Sequence, residues 1–291
     1  MRPRRASAIA DHGQPTEDRH LSDINYDKIR ATPFREALSI QNAVFRAMLL
    51  RELNARFGRD NIGILWLIGE PLLFALVVSL VRTVRGGIHG NGVIQPAMFV
   101  LVGYTGFIIY RGLFNRAGSI LASSLPLLFH RSVTLLDMLS VRVVIEVVGC
   151  FSAYLVLMVI FSMVGIGSLP YRPLYLLAGY GLITWFSAAA SMIVMYITFD
   201  RPTLERMMHM ISYFMIPISG AFFMIEWLPS SFRDIIVWNP LAISFEILRY
   251  GQFEMASADY LFFGYALSAN AVLTYIGLLL LRRLRRMVHP L

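Results

Sequence analysis

Between residues 62 and 281 the chain carries six apolar runs, at about 62–81, 97–114, 143–167, 174–198, 208–225 and 260–281. Each approaches the roughly 20 residues that an α-helix needs to cross the hydrocarbon layer of a membrane. Nothing else in the sequence constrains the fold as strongly. Hydrophobic residues make up 57% of the chain and charged residues 15%, against about 25% charged in an ordinary globular domain. A single aqueous core cannot hide that much apolar surface. The expected class is an all-α polytopic membrane protein with six transmembrane helices.

Arginine and lysine set the expected orientation, because they collect on the cytoplasmic side. An even number of spans puts both ends on one side. The segment 1–61, the loops 111–142 and 199–207 and the tail RRLRR place 21 of the 26 basic residues there. The opposite side holds five, Arg82, Arg85, Arg172, Arg233 and Arg249. Both termini are therefore expected in the cytoplasm. The net charge of +8 follows from this topology and does not call for nucleic acid as a partner.

Four sections are expected along the chain. Residues 1–33 mix Arg, Asp, His, Gly and Pro, a composition suited to a flexible cytoplasmic tail with no apolar stretch of the kind a secretory leader needs. Residues 34–61 read as a helix too charged to cross lipid. Val44, Phe45, Met48, Leu49, Leu53 and Phe57 cover one broad side of it, although Glu52 and Arg56 fall near that side. Such a helix suits the cytoplasmic interface, with arginines meeting lipid phosphates. Residues 62–285 form the six-helix domain and 286–291 a short cytoplasmic tail. Between spans five and six, residues 226–259 read either as two short re-entrant or interfacial helices or as a solvated loop. In the first reading Ser230 or Ser231 caps SFRDIIVW, and Asn239-Pro240 starts LAISFEILRY.

The chain lacks the phosphate-binding loop G-x-x-x-x-G-K-[ST], since its one lysine, Lys28, sits in NYDKIR without a glycine frame. It is not expected to be an enzyme, nor to bind ATP by that route. The six histidines are dispersed, so no metal or catalytic constellation is expected. No internal repeat favours an inverted-repeat transporter or a channel. Cys150, the single cysteine, lies in an apolar run and reads as a small core hydrophobe.

Ionisable and aromatic residues within the spans are the remaining candidates. Glu70 falls inside the first span and is followed by Pro71, which tends to bend a helix. A carboxylate there must pair, face water or be protonated. It either lines a partly hydrated pathway or pairs with an arginine to fix packing. Arg142 and Glu146, one turn apart, read as a structural pair. Tyr104, Phe107, Tyr110 and Phe114 share one side of span two, and Trp66, Tyr213, Phe214, Phe222 and Phe223 add rings from spans one and five. Such a stripe is either helix packing or a track on which the flat C–H faces of sugars can lie.

The stretch RELNARFGRDNIGILWLIGEPLLF resembles the start of span one in the permeases of ATP-binding-cassette exporters of the ABC-2 type. The matching residues are Arg51, Glu52, Leu53, Arg56, Phe57, Ile62, Gly63, Leu65, Trp66 and Pro71. The form RFGRDNIG resembles the capsular-polysaccharide branch most, and ASSLPLLFHRSVTLLDMLSVRVVIE resembles the family's cytoplasmic coupling loop.

The resemblance implies the membrane subunit of an exporter of lipid-linked capsular polysaccharide in the bacterial inner membrane. The alternative it leaves is an ABC-2 exporter of O-antigen, teichoic acid, a lipid or a drug. It further implies a homodimer, two separate ATPase subunits that bind ATP and magnesium, and a periplasmic adaptor. Leu125, Leu127, Leu128, Phe129, His130 and Arg131, with Arg201 and Arg206 as a second contact, are then the expected ATPase-coupling surface. Arg51, Arg56 and Arg59 would meet phospholipid or an anionic substrate. Trp66, Glu70, Tyr104, Phe107, Tyr110, Phe114, Tyr213 and Phe214 would line the substrate pathway.

Overall fold

The computed structural model describes residues 34–57, 69–78, 81, 95–128 and 134–288, with side-chain surroundings for all of these except 34–38, 55–57, 121–128 and 288. The chain divides into two units, residues 1–44 and 45–291. Of the first, the described part is one stretch of helix. The described residues contain helices and turns and no strand. This is the form that lets a segment in lipid satisfy its own backbone polar groups.

The helices are α1 (Phe34–Phe57), α2 (Gly69–Val78), α3 (Pro96–Leu128), α4 (Leu135–Met163) and α5 (Pro173–Thr198). After them come α6 (Pro202–Phe214), α7 (Ser230–Ile236), α8 (Pro240–Gln252) and α9 (Phe263–Val288). Local chemistry explains most starts. Pro173, Pro202 and Pro240 open α5, α6 and α8 at a position where a missing N–H costs nothing. Thr134 caps α4 in a reciprocal box: its hydroxyl accepts from the Asp137 N–H, and the Asp137 carboxylate accepts from the Thr134 N–H.

Among the described residues four helices are long and apolar enough to cross a membrane: Pro96–Ile120, Leu135–Met163, Pro173–Thr198 and Phe263–Met287. They cover the expected runs at 97–114, 143–167, 174–198 and 260–281. The run at 62–81 is described only as α2. Helix α3 is the inner one, with 78% of its apolar window buried, whereas α9 has 22% buried and turns Leu267, Val272, Ile276 and Leu279 outward. Helix α5 packs against α3, α8 and α9. Hydroxyls inside the spans bond back along their own helices, as Thr105 does to Leu101, Ser187 to Ile183 and Ser191 to Ser187. Between helices, Trp185 donates to Thr274 at 2.8 Å and Asn270 to the Leu182 carbonyl at 3.3 Å.

Several expectations need correction. The run 208–225 is not one continuous helix. Helix α6 begins earlier, at Pro202, and ends at Phe214, and residues 215–224 are turns. Pro217 supplies no N–H and its ring opposes the carbonyl four residues back, and Gly220 takes a φ of 81°. The loop expected over 111–142 is largely helical, because α3 runs past Arg111 to Leu128 and α4 starts at Leu135. Ser230 and Ser231 lie inside α7, whose N-cap is Pro229, and neither caps it. Asn239 does cap α8, accepting from the Leu241 N–H at 3.0 Å.

The two pieces of 226–259 also differ in kind. In α7 no residue is buried, while α8 is enclosed along nearly its whole length. Its contact with α5 is a backbone contact: a Cβ on Gly179 would lie 2.5 Å from the Leu248 Cα. Enclosure takes in two charged residues, Glu246 and Arg249. Arg249 donates to the Phe223 carbonyl and lies 4.4 Å from the centre of the Phe99 ring, and Glu246 accepts from the Ile225 N–H. The pair pins the turn region 218–227 against α3 and α8.

Candidate functional site

Helix α3 carries the candidate site because its stripe of rings follows the helical period. Phe107, Tyr110 and Phe114 follow one another, with centroids 5.9 Å apart for Phe107–Tyr110 and 5.3 Å for Tyr110–Phe114, and Phe222 links Phe107 to Tyr104 at 6.3 and 6.2 Å. Phe186 of α5 joins at Tyr110, 6.1 Å away. At the other end Phe74 of α2 stacks on Tyr104 at 4.4 Å, and Phe222 meets both Phe74 and Phe107.

The Glu70 carboxylate sits at that end and accepts a 2.8 Å hydrogen bond from the Tyr104 hydroxyl. Among the described residues its partner is thus a phenol, not an arginine. Glu70 and Pro71 lie in the first described turn of α2, and the bend expected at Pro71 falls where residues 58–68 are outside the described ones.

Burial divides the stripe. Phe107 and Tyr110 are 1% and 2% exposed and serve packing within the chain. Glu70 and Phe74 remain partly accessible. Seven residues beyond Tyr104, about 10 Å along the helix, Arg111 donates to the Tyr213 hydroxyl at 3.0 Å and lies 4.8 Å from the centre of its ring. Tyr213 and its neighbour Phe214 are exposed. Along one side of α3 a carboxylate from α2, rings and a cation therefore follow in succession. Trp66 lies outside the described residues. Phe74 was not singled out from the sequence, although its place one turn after Glu70 puts both on one face of α2.

At the α1 end the key contact is an ion pair between Glu52 and Arg142. Arg142 thus reaches α1, a contact that spacing within α4 does not give. Glu146 is buried against Gly112 of α3. The position of Glu52 near the apolar face of α1 now has a reason: Phe45, Met48, Leu49 and Leu53 face inward with it. Arg51 is exposed; the surroundings of Arg56 are outside those described, as is Arg59 altogether. Leu125, Leu127 and Leu128 form the end of α3, and Phe129, His130 and Arg131 lie outside the described residues. Arg201 and Arg206 are exposed at the start of α6, after Asp200 turns the chain with a φ of 55°.

No protein-family profile matches the chain. Individual relatives do, nearly from end to end. The chain is 31% identical over 260 residues to the capsule polysaccharide export inner-membrane protein BexB of Haemophilus influenzae, covering 89% of this chain and 97% of the relative. It is 31% identical over 264 residues to the protein of the same description, CtrC, from Neisseria meningitidis, covering 90% and 99%. The polysialic acid transport protein KpsM of Escherichia coli is 26% identical over 258 residues, covering 85% and 96%. The chain belongs to the family of capsule polysaccharide export inner-membrane proteins.

Proposed function

We propose that this chain is the membrane-spanning subunit of an ATP-driven exporter that moves capsular polysaccharide, carried on a lipid anchor, across the bacterial inner membrane. The observation that carries this reading is the similarity along about nine-tenths of the chain to relatives named for capsule polysaccharide export. Two copies form the transporter, with both termini in the cytoplasm. A separate pair of ATPase subunits binds ATP and magnesium, and a periplasmic adaptor receives the polymer.

The residue chemistry supports a pathway along the accessible edge of α2, α3 and α6. Glu70 accepts from sugar hydroxyls, Arg111 donates to them, and Phe74, Tyr213 and Phe214 offer flat apolar faces. Buried Phe107, Tyr110 and Phe114 hold that edge in place, and Trp66 extends it. The ATPase contact is formed by Leu125, Leu127, Leu128, Phe129, His130 and Arg131, with Arg201 and Arg206 as a second contact. An apolar block flanked by cations suits insertion into a partner's groove. The cations Arg51, Arg56 and Arg59 meet the phosphate of the lipid anchor.

Deletion of the gene tests the reading. Long capsular polymer is expected to accumulate inside the cell and to vanish from its surface. Normal surface polymer in the deletion strain would assign the exporter another cargo.

A further inference from the structure

A cleft of about 620 Å³ opens between α7 and the 260–262 segment that leads into α9. Its volume lies within the range of small-molecule sites, about 300–1,000 Å³. Its lining is aromatic at Trp238, Tyr260 and Phe262, polar at Ser230, Arg233 and Asp234, and apolar at Val237. None of these residues is used by the pathway described above.

The walls are held in place. Trp238 is 75% exposed, yet its ring is met edge-on by Tyr265 at 6.3 Å and 88°. Arg233 donates through one terminal nitrogen to the carbonyls of Glu226 at 2.9 Å and Leu228 at 3.0 Å. Its guanidinium carbon lies 5.9 Å from the centre of the Tyr260 ring. Its Nε is shielded from solvent and has no acceptor among the described residues. The carboxylate of exposed Asp234 follows directly in sequence. An arginine only donates and an ionised carboxylate only accepts. A hydroxyl-rich ligand with apolar C–H faces uses both, and the rings as well.

The two sides of α7 differ in the same sense. At 100° per residue, positions 230, 233, 234 and 237 share one side, and Phe232 and Ile235 lie opposite. These two are 62% and 69% exposed and suit the interfacial layer of a membrane, where aromatic side chains concentrate. Membrane anchoring thus accounts for the far side of the helix. It gives no reason for a cation and a carboxylate that share a cleft with three rings on the near side.

We propose that this cleft is a saccharide-binding subsite, in which the Trp238 and Tyr260 rings take the flat face of one sugar unit and Arg233 and Asp234 take its hydroxyls. The proposal rests on the polysaccharide reading above and assigns the sugar to the exported polymer. The cleft lies at the end of the bundle where α5 and α9 begin, since Tyr175 meets Phe263 at 5.8 Å. In the proposed topology this is the outer end, where the polymer leaves.

The test uses the full chain in nanodiscs of phosphatidylethanolamine and phosphatidylglycerol. The probe is a set of short, end-labelled oligosaccharides cut by mild acid from the surface polymer of the cells that encode the chain. Saturable binding is expected, weakened about tenfold or more, or ~1.4 kcal/mol, by Trp238→Ala and by Asp234→Asn. Phe232→Ala, on the opposite side, is expected to bind nearly as the wild type. Membrane levels of each variant, read by immunoblot, separate loss of binding from loss of protein.

Binding that survives Trp238→Ala and Asp234→Asn, or no saturable binding at all, overturns the proposal. So does a signal that appears only when a glycolipid is added to the disc, which would assign the cleft to a membrane headgroup. Should the gene deletion still trap polymer inside the cell while the cleft variants bind normally, the subsite alone fails. Normal surface polymer in the deletion strain is instead a failure of the export reading.

Discussion

The Tyr104 hydroxyl and the Glu70 carboxylate hold α3 and α2 together through one polar bond inside an otherwise apolar contact. Removing the donor leaves a half-buried acceptor unpaired, at a cost of about 1–3 kcal/mol. Tyr104→Phe is therefore expected to lower both thermal stability in detergent and polymer export. Glu70→Gln keeps an oxygen that can accept from Tyr104 and removes the charge. It is expected to leave the unfolding temperature near that of the wild type and to cut export several-fold; unchanged export would confine Glu70 to packing. The ring stripe on α3 was legible in the sequence because four aromatics fall three or four residues apart. The bond to Glu70 was not, since its partners stand 34 residues apart and helical spacing says nothing about which helices meet. The same holds for Arg142, which pairs with Glu52, 90 residues away.

At the scale of elements, apolar length alone located the four long spans, because lipid demands that length whatever the tertiary contacts. Two elements escaped that reasoning. The run 208–225 is apolar enough to cross, but Pro217 and the left-handed Gly220 end the helix within it. Helix α8 carries Glu246 and Arg249, which mark a surface helix by composition. Their partners, the Ile225 N–H and the Phe223 carbonyl, come from the turns of that broken run. Close approach fixes the turn on its other side as well: a Cβ at Gly103 would lie 1.9 Å from the Ala221 carbonyl oxygen. Gly103→Ala should force the turn away from α3 and destabilise the protein by about 1–3 kcal/mol. Gly181, with nothing within 4 Å of such a Cβ, is the control. Gly181→Ala should be neutral or stabilising by up to ~1 kcal/mol. Unfolding midpoints of the two variants in the same detergent check the difference, and equal midpoints would argue against the packed turn.

At the scale of the whole molecule, the Glu52–Arg142 pair ties α1 to α4 a short way from the α3–α4 connection proposed as the ATPase contact. If the proposed ATPase contact delivers a push there, the pair gives it a route to α1. Charge reversal at either residue, Glu52→Arg or Arg142→Glu, is expected to uncouple ATP hydrolysis from export. The double reversal should restore much of it, with an interaction energy of about 0.5–3 kcal/mol. A double variant as poor as the single ones would show that the pair does not transmit the stroke. The central claim is that this chain carries polysaccharide across the membrane under the drive of a separate ATPase. Inside-out inner-membrane vesicles test it most directly, by adding ATP and then a polymer-degrading enzyme outside and measuring how much polymer is protected. Protection is predicted to need ATP and to disappear in vesicles from a strain lacking this chain. Equal ATP-dependent protection with and without the chain would contradict the account.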